Sequence, residues 1–264
     1  MKVVVLCGGQ GTRIRDASEV LPKPMLPIGG KPIVWHIMKS YAAHGFHDFV
    51  LCLGYKGWVI KEFFLNYRAM MADLRVTLGR HGSTEILGDA RLDEWSVTLA
   101  ETGENTMTGG RVSAVRRYLE GDELFMLTYG DGVADLDLGA LLRFHRTHGK
   151  IATVTAVHPP SRFGEMRTDG PLVQEFNEKP QTTSGLINGG FFIFDSRRIW
   201  EYLGEQPGCV LEAEPMQRLA REGQLAAFQH DGFWQPMDTL REYNWLNDLW
   251  ATGKAPWKVW SDDR

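Results

Sequence analysis

Short runs of apolar and β-branched residues alternate along the chain with longer stretches whose apolar positions recur at helical spacing. "KVVVLC" (2–7), "DFVLCLG" (48–54), "ELFMLTYG" (123–130), "KIATVTAV" (150–157) and "GGFFIFD" (189–195) read as strands. Most are apolar throughout, the pattern of strands covered on both faces. "KPIVWHIMKSYAAHG" (31–45), "GWVIKEFFLNYRAMM" (57–71) and "LDLGALLRFHRTHG" (136–149) predict helices, the last closed by a C-terminal glycine. Strand and helix in alternation predict right-handed βαβ units, and hence an α/β fold: a Rossmann-like mixed, mainly parallel sheet flanked by helices.

Between 72 and 110 the rhythm changes. "LRVTLG" and "WSVTLAETG" alternate apolar and polar residues and predict an antiparallel or edge excursion. Beyond 195 the pattern predicts helices around 196–203 and 213–222, a strand "QLAAFQ" and a final amphipathic helix in "DTLREYNWLNDLWATG". No repeat or linker interrupts this order, so the expectation is one domain over 1–264 with an embellished C-terminal third from about 196.

Composition narrows the function classes. A hydrophobic share of 43% and a charged share of 23% over 264 residues suit a globular core that needs no disulfides. A net charge of −4 without a basic run argues against nucleic acid as a partner. The three cysteines have no paired spacing, which gives neither a disulfide framework nor a zinc motif, and Cys7 and Cys52 read as small buried hydrophobes. The apolar run after Lys2 is too short for a signal peptide, and no stretch reaches membrane-spanning length. A cytoplasmic protein with no membrane partner is expected.

The candidate chemistry begins at "CGGQGTR" (7–13), directly after the first strand. The dinucleotide fingerprint G-x-G-x-x-G/A starts with Gly9 and Gly11 but meets bulky Ile14 at its third small position. The P-loop also fails, because no Gly-Lys-Ser/Thr follows. A glycine turn with a purely structural job remains open, as does an anion cradle in which backbone N–H groups face a ligand and Arg13 adds a forked cation. Ten residues on, "LPKPML" brackets Lys23 between Pro22 and Pro24, which fixes the local backbone and aims one lysine. Loop and lysine together read as a phosphate clamp with two cations.

The stretch "GGQGTR…PKPMLPIGGKPIVWHIMK" resembles the signature of the sugar-1-phosphate nucleotidyltransferases. A narrower similarity, to the branch that transfers a cytidylyl group, rests on "GYKGWVIKEFF", "MTGGR", "TYGDGVADLD", "EKP", "INGGFF", "FWQPMDTLRE" and "GKAPWK", so it covers almost the whole chain. The loop departs from relatives that use other nucleotides, which carry a proline soon after the arginine where this chain reads "TRIRDASEVLPKP". The resemblance implies the nucleotide-diphospho-sugar transferase type of α/β fold. It also implies Mg²⁺-dependent transfer from CTP to glucose 1-phosphate for deoxysugar and surface (lipo)polysaccharide synthesis, and a homo-oligomer.

Site roles follow from the resemblance. Leu6, Cys7, Gly8, Gly9, Gln10, Gly11, Thr12 and Arg13 would wrap the triphosphate, with Arg13 on the departing pyrophosphate and Lys23 on the phosphates at the reacting centre. Asp131, beside Gly130 in "YGDG", and Asp238 in "QPMDT" would hold Mg²⁺. The plain alternatives are a turn residue for Asp131 and a helix N-cap for Asp238. Lys179 in "NEKP" would take the sugar phosphate, Asn188 and Gly189 the sugar, and Trp234 would wall that site unless it is simply buried. Thr106 and Arg111 in "TMTGGR" would select the base, unless Arg111 sits on a helix's solvent face. "ETGENTMTGG" looks like a mobile loop that orders over the nucleotide.

Other residues suggest less. His145 and His148 lie three apart on a helix with nothing to complete a metal site, so a solvated helix face is expected. Trp245, Trp250, Trp257 and Trp260 look exposed and are compatible with an interface. The competing readings are the same chemistry with UTP, dTTP or a modified hexose 1-phosphate, a nucleotide-binding module or oxidoreductase, and a catalytically silent relative. The joint presence of Asp131, Asp238, Lys23 and Lys179 speaks against the last.

Overall fold

Both faces of the first strand, β1 (Val3–Leu6), are covered, and all four of its residues are buried. The computed structural model describes residues 1–9, 21–87, 93–159, 165–169, 172–177 and 185–261. After β1 comes the 3₁₀ turn Lys23–Met25 and a two-residue-strand hairpin, β2 (Pro27–Ile28) and β3 (Lys31–Pro32), turned by Gly29 and Gly30 at φ +56° and +83°. Helix α1 (Ile33–Ala43), β4 (Asp48–Leu53), α2 (Gly57–Leu65), α3 (Tyr67–Met70), β5 (Asp73–Thr77), β6 (Ser83–Leu87) and β7 (Ser96–Glu101) follow. The middle of the chain carries α4 (Thr108–Ala114), β8 (Leu124–Tyr129), β9 (Gly132–Ala134), α5 (Leu138–His148), β10 (Ala152–Val157), β11 (Glu165–Asp169) and β12 (Leu172–Asn177). The last third adds β13 (Ile187–Asp195), α6 (Glu214–Arg221), β14 (Leu225–His230), β15 (Trp234–Pro236) and α7 (Leu240–Ala251).

The main sheet has seven strands in the order β14-β10-β13-β8-β1-β4-β7. The pairs β1–β4, β1–β8, β4–β7 and β10–β14 are parallel, and β13 runs antiparallel to both its neighbours. Alternate residues feed two separate cores. Val3, Val5, Phe49, Leu51 and Met126 pack on one face, and Val4, Val50, Cys52, Phe125 and Leu127 on the other. A strand apolar at every position is what such a two-sided layer demands. Among the described residues no helix is long and apolar enough to cross a membrane.

One expectation is met and three change. Of the two segments expected to make an antiparallel or edge excursion, β5 pairs antiparallel with β6, and β7 takes the edge of the main sheet, parallel to β4. Its alternation reflects partial exposure at an edge, not strand direction. The segment 196–203 supplies just the 3₁₀ turn Ile199–Glu201. His145 is buried, and its Nδ1 and the Nε2 of His148 each lie 2.8 Å from Thr153 Oγ1, because α5 lays both rings onto β10 and not into solvent. Trp257 is fully buried, and Trp250 and Trp260 pack with it around His36, which leaves Trp245, 43% exposed, as the exposed member of that set.

The buried histidines make stability pH-dependent. His36 Nε2–H donates to the Ile28 carbonyl at 2.9 Å and Trp257 Nε1–H donates to His36 Nδ1 at 3.4 Å, so the ring is held neutral. Burial pushes His36 and His145 down to about 4. Between that value and the ordinary value of about 6.5 the unfolded chain binds the protons that the folded one refuses, so stability falls as pH falls. Each histidine contributes a slope of about 1.4 kcal/mol per pH unit in that window. Chemical denaturation at pH 7 and pH 5 checks this: His145→Gln should flatten the dependence, and an unchanged slope would contradict it.

Candidate active site

The carboxyl ends of the parallel strands converge on one cavity of about 420 Å³, where open α/β sheets place their ligands. Cys7, Gly8 and Gly9 leave β1, Gly54 leaves β4, Thr102 leaves β7, and Gly130 with Asp131 leaves β8. The crossings are tied by backbone hydrogen bonds: Cys7 N–H to Cys52 O at 3.0 Å, Tyr55 N–H to Gly8 O at 3.2 Å, and Gly130 N–H to Leu6 O at 3.0 Å. Gly130 must lack a side chain, since a Cβ there would lie 2.9 Å from Leu6 O and 3.2 Å from Pro24 Cγ. Of the candidate residues, Leu6, Gly8, Gly9, Lys23, Thr106, Arg111, Gly130, Asp131 and Asp238 line the cavity. Cys7 does not; its thiol is buried in a core, and burial raises its pKa well above the ordinary value.

Lys23 stands at the centre of this group. Its 3₁₀ turn begins after Pro22 and includes Pro24, so its direction is set by a stiff backbone. The ammonium is 2.6 Å from Asp131 Oδ2 and 2.5 Å from Asp238 Oδ1. Burial works to lower the pKa of Lys23, but the charge of Asp131 and the hydrogen bonds to both aspartates outweigh it and raise the value. Asp238 is not a helix cap. Thr239 caps α7 and forms a full capping box with Glu242, so the Asp238 carboxylate is turned toward the cavity instead.

The pair of carboxylates suits a divalent cation. Two hard oxygen donors from distant parts of the chain already share a single positive charge, and Mg²⁺ takes one or two carboxylates with water and phosphate oxygens beside them. Among the described residues no group of three or more His, Cys, Asp or Glu offers a rival metal site.

Arg111 is neither on a solvent face nor free to roam. It is 4% exposed, and its two terminal nitrogens donate to Leu53 O, Thr102 Oγ1, Gly103 O, Gly8 O and Glu104 O over 2.7–3.1 Å. The guanidinium fills the space that side chains at Gly8 and Gly54 would need, 2.1 and 2.5 Å from the ideal Cβ positions. It thereby clasps 102–104, the start of the 101–110 stretch expected to be mobile, and Met107 N–H adds a bond to Pro207 O at 2.7 Å. Thr106 stands on this clasped segment, facing the cavity.

Asn188, Gly189 and Trp234 do not line this cavity; Asn188 and Gly189 lie near the start of β13, where Asn188 meets Tyr129, which does line it. Asn188 Nδ2 donates to the Tyr129 hydroxyl at 3.2 Å, and its Oδ1 accepts from Gly190 N–H at 2.8 Å. A Cβ at Gly189 would strike Val157 Cγ1 at 2.8 Å, so the glycine allows close strand packing. Trp234 Nε1 donates to Gly189 O at 2.7 Å; the ring is partly buried and braces β13 from β15. Gln10, Gly11, Thr12, Arg13 and Lys179 lie outside the described residues.

Tyr129, Thr108 and Glu212 line the cavity and were not picked out by sequence. Tyr129 sits immediately before "GDG", a signal that was available. Glu212, in "VLEAEP", belongs to no motif.

A family model for nucleotidyl transferases matches residues 2–247. The chain is 50% identical over 260 residues to the glucose-1-phosphate cytidylyltransferase of Salmonella typhi, covering 98% of this chain and 100% of that protein. It has the same 50% identity over 260 residues, with the same coverage, to the glucose-1-phosphate cytidylyltransferase of Salmonella typhimurium. The solved structure of a UDP-glucose pyrophosphorylase complexed with UDP-glucose matches with a TM-score of 0.67 over 96% of this chain and 98% of that one, at 16% identity, a likeness of fold alone. From the match along nearly its whole length, this chain belongs to the nucleotidyl transferase family.

Proposed function

We propose that this chain transfers a cytidylyl group from CTP to α-D-glucose 1-phosphate, releasing pyrophosphate and forming CDP-glucose. The observation that carries the reading is the cavity at the carboxyl edge of the sheet in which one buried lysine, Lys23, joins two carboxylates, Asp131 and Asp238. A phosphate oxygen of the sugar phosphate attacks the α-phosphorus, and the bond from that phosphorus to the bridging oxygen of pyrophosphate breaks, its electron pair leaving with pyrophosphate. The protein's work in such a displacement is to align two polyanions and to offset their charge.

Residues 6–13 would wrap the triphosphate through backbone N–H groups, Arg13 would meet the leaving pyrophosphate, and Lys23 the phosphates at the reacting centre. Asp131 and Asp238 would hold Mg²⁺, which when bound neutralises phosphate charge and polarises the reacting phosphoryl group. Lys179 would bind the sugar phosphate, with Asn188, Gly189 and Trp234 shaping the sugar side. Arg111 spends the donors of its terminal nitrogens on four backbone carbonyls and the Thr102 hydroxyl, so its part in base selection is to fix 102–104, beside Thr106. The product suits deoxysugar and surface-polysaccharide synthesis in the cytoplasm. We also infer a homo-oligomer; exposed Trp58, Leu65, Met70, Val76 and Leu78, which lie close in sequence, support it, and sizing by light scattering tests it.

Steady-state assays with CTP, UTP, dTTP and GTP against glucose 1-phosphate test the base and sugar assignment. CTP should be preferred at least about tenfold in kcat/KM, roughly 1.4 kcal/mol. Preference for UTP or dTTP would leave the chemistry and replace the base; hydride transfer without pyrophosphate release would end the reading altogether.

A further inference from the structure

Glu212 is a third carboxylate on the cavity wall, and where Asp131 and Asp238 meet Lys23, its oxygens meet two hydroxyls. Glu212 is exposed at the wall of the cavity that Lys23 and Arg111 also line, and its charge repels any phosphate brought near. Such a group belongs beside the neutral part of a substrate, or holds neighbouring donors in place. Its oxygens show the second arrangement. One accepts from the Tyr129 hydroxyl, the other from Thr108 Oγ1 at 2.6 Å. Thr108 in turn accepts from Leu211 N–H at 2.9 Å, so its hydroxyl is committed at both ends.

Tyr129 carries the chain onward. Having donated its proton to Glu212, its oxygen accepts from Asn188 Nδ2 at 3.2 Å. The ring cannot swing away easily: it lies where a Cβ at Gly190 would be, 2.5 Å from its Cδ2, and packs edge-on against Phe192 with centroids 5.9 Å apart. Gly190 has φ +79°, which is the backbone that brings β13 this close to β8. Asn188 is thus held from both ends, its amide nitrogen by Tyr129 and its Oδ1 by Gly190 N–H. The run Thr108–Glu212–Tyr129–Asn188 joins the start of α4, beside the segment that faces the base, to the start of β13 on the sugar side.

We propose that Tyr129 and Glu212 are positioning residues for the sugar phosphate: they set the side-chain amide of Asn188 for the sugar hydroxyls through the Glu212–Tyr129–Asn188 hydrogen bonds. The inference rests on the reading above that Asn188 meets the sugar. Glu212 fixes the direction of the tyrosine hydroxyl, so that its lone pair, not its proton, faces Asn188. The amide's nitrogen is then held toward Tyr129, which lines the cavity, and its oxygen toward Gly190, so its second N–H remains for a ligand.

The test is a double-mutant cycle on initial rates, with KM measured for glucose 1-phosphate and for CTP separately. Tyr129→Phe removes one hydroxyl and should raise the KM for glucose 1-phosphate about fivefold, the worth of about one hydrogen bond, while the KM for CTP changes less than about twofold. Glu212→Ala should match Tyr129→Phe, and Glu212→Gln, which keeps an acceptor for the hydroxyl, should restore most of the loss. In the Tyr129→Phe, Asn188→Ala pair the effects should not add, because the second change removes what the first had misplaced. Additive effects, or equal rises in both KM values, overturn the inference. If Asn188→Ala alone leaves the KM for glucose 1-phosphate unchanged, the sugar assignment of Asn188 fails, and that outcome is separate from a normal Asn188 effect with a silent Tyr129→Phe.

Discussion

Asp131→Asn is expected to lower kcat for pyrophosphate release by roughly 10³-fold, about 4 kcal/mol of transition-state stabilisation. The substitution keeps the side chain's size and one acceptor oxygen, and removes the charge. Two things then change at the centre of the cavity: the carboxylate pair can no longer offer two negative charges to a divalent cation, and Lys23 is left with Asp238 as its charged partner of the two. Fold should survive, since the Asp131 side chain is 32% exposed and its loss leaves no dry charge behind. Thermal unfolding should therefore move by only a few degrees while turnover collapses. Chelating divalent ions from the unaltered enzyme should reach a similar residual rate, restored by Mg²⁺ and not restored in Asp131→Asn. A variant that keeps more than a tenth of the activity would remove Asp131 from the chemistry.

How much of this could be seen in the residues differs sharply between layers. The central strands were legible because each apolar position has a core to enter: Val3 and Val5 on one face, Val4 and Leu6 on the other. For β7 the choice between an edge strand and an antiparallel one was not legible, because partial exposure writes the same alternation as antiparallel pairing. Periodicity reports which face of α5 carries His145 and His148 but not how deep that face lies, and the shared Thr153 hydroxyl that satisfies both rings comes from another element. The closing tryptophans follow no period, so nothing in their spacing distinguishes buried Trp257 from exposed Trp245. At the site, Lys23 between two prolines was legible as an aimed cation. That it meets both aspartates was not, since Asp131 and Asp238 were coupled by family resemblance and not by spacing. Arg111 was the hardest case. Its partners leave three different strand ends, and a single arginine after two glycines says nothing of carbonyls at positions 8, 53 and 103.

That arginine carries the largest expected stability effect. Arg111→Lys keeps the charge but replaces a planar fork of five donors with three donors on one atom. A lysine ammonium cannot reach Gly8 O and Glu104 O on one side and Leu53 O and Gly103 O on the other, so at least two buried acceptors lose their partners. Each such loss costs about 1–3 kcal/mol, for a total of about 2–6 kcal/mol. For a chain of this size about 1 kcal/mol corresponds to roughly 2–4 °C, so the midpoint of thermal unfolding should drop by about 4–24 °C. The volume matters as well. Gly8 and Gly54 carry no side chain because the guanidinium stands where their Cβ atoms would be, and removing it opens a void against both. Gly8→Ala should therefore be destabilising with arginine in place and much less so in the Arg111→Lys background, since the same contact cannot be lost twice. Freed from Gly103 O and Glu104 O, the segment bearing Thr106 loses its clasp, and the KM for CTP should rise at temperatures where the variant is still folded. Differential scanning fluorimetry on the four variants of this cycle, with CTP kinetics at a temperature well below each midpoint, separates the two effects. Equal destabilisation by Gly8→Ala in both backgrounds would mean that the guanidinium is not what occupies that space in solution.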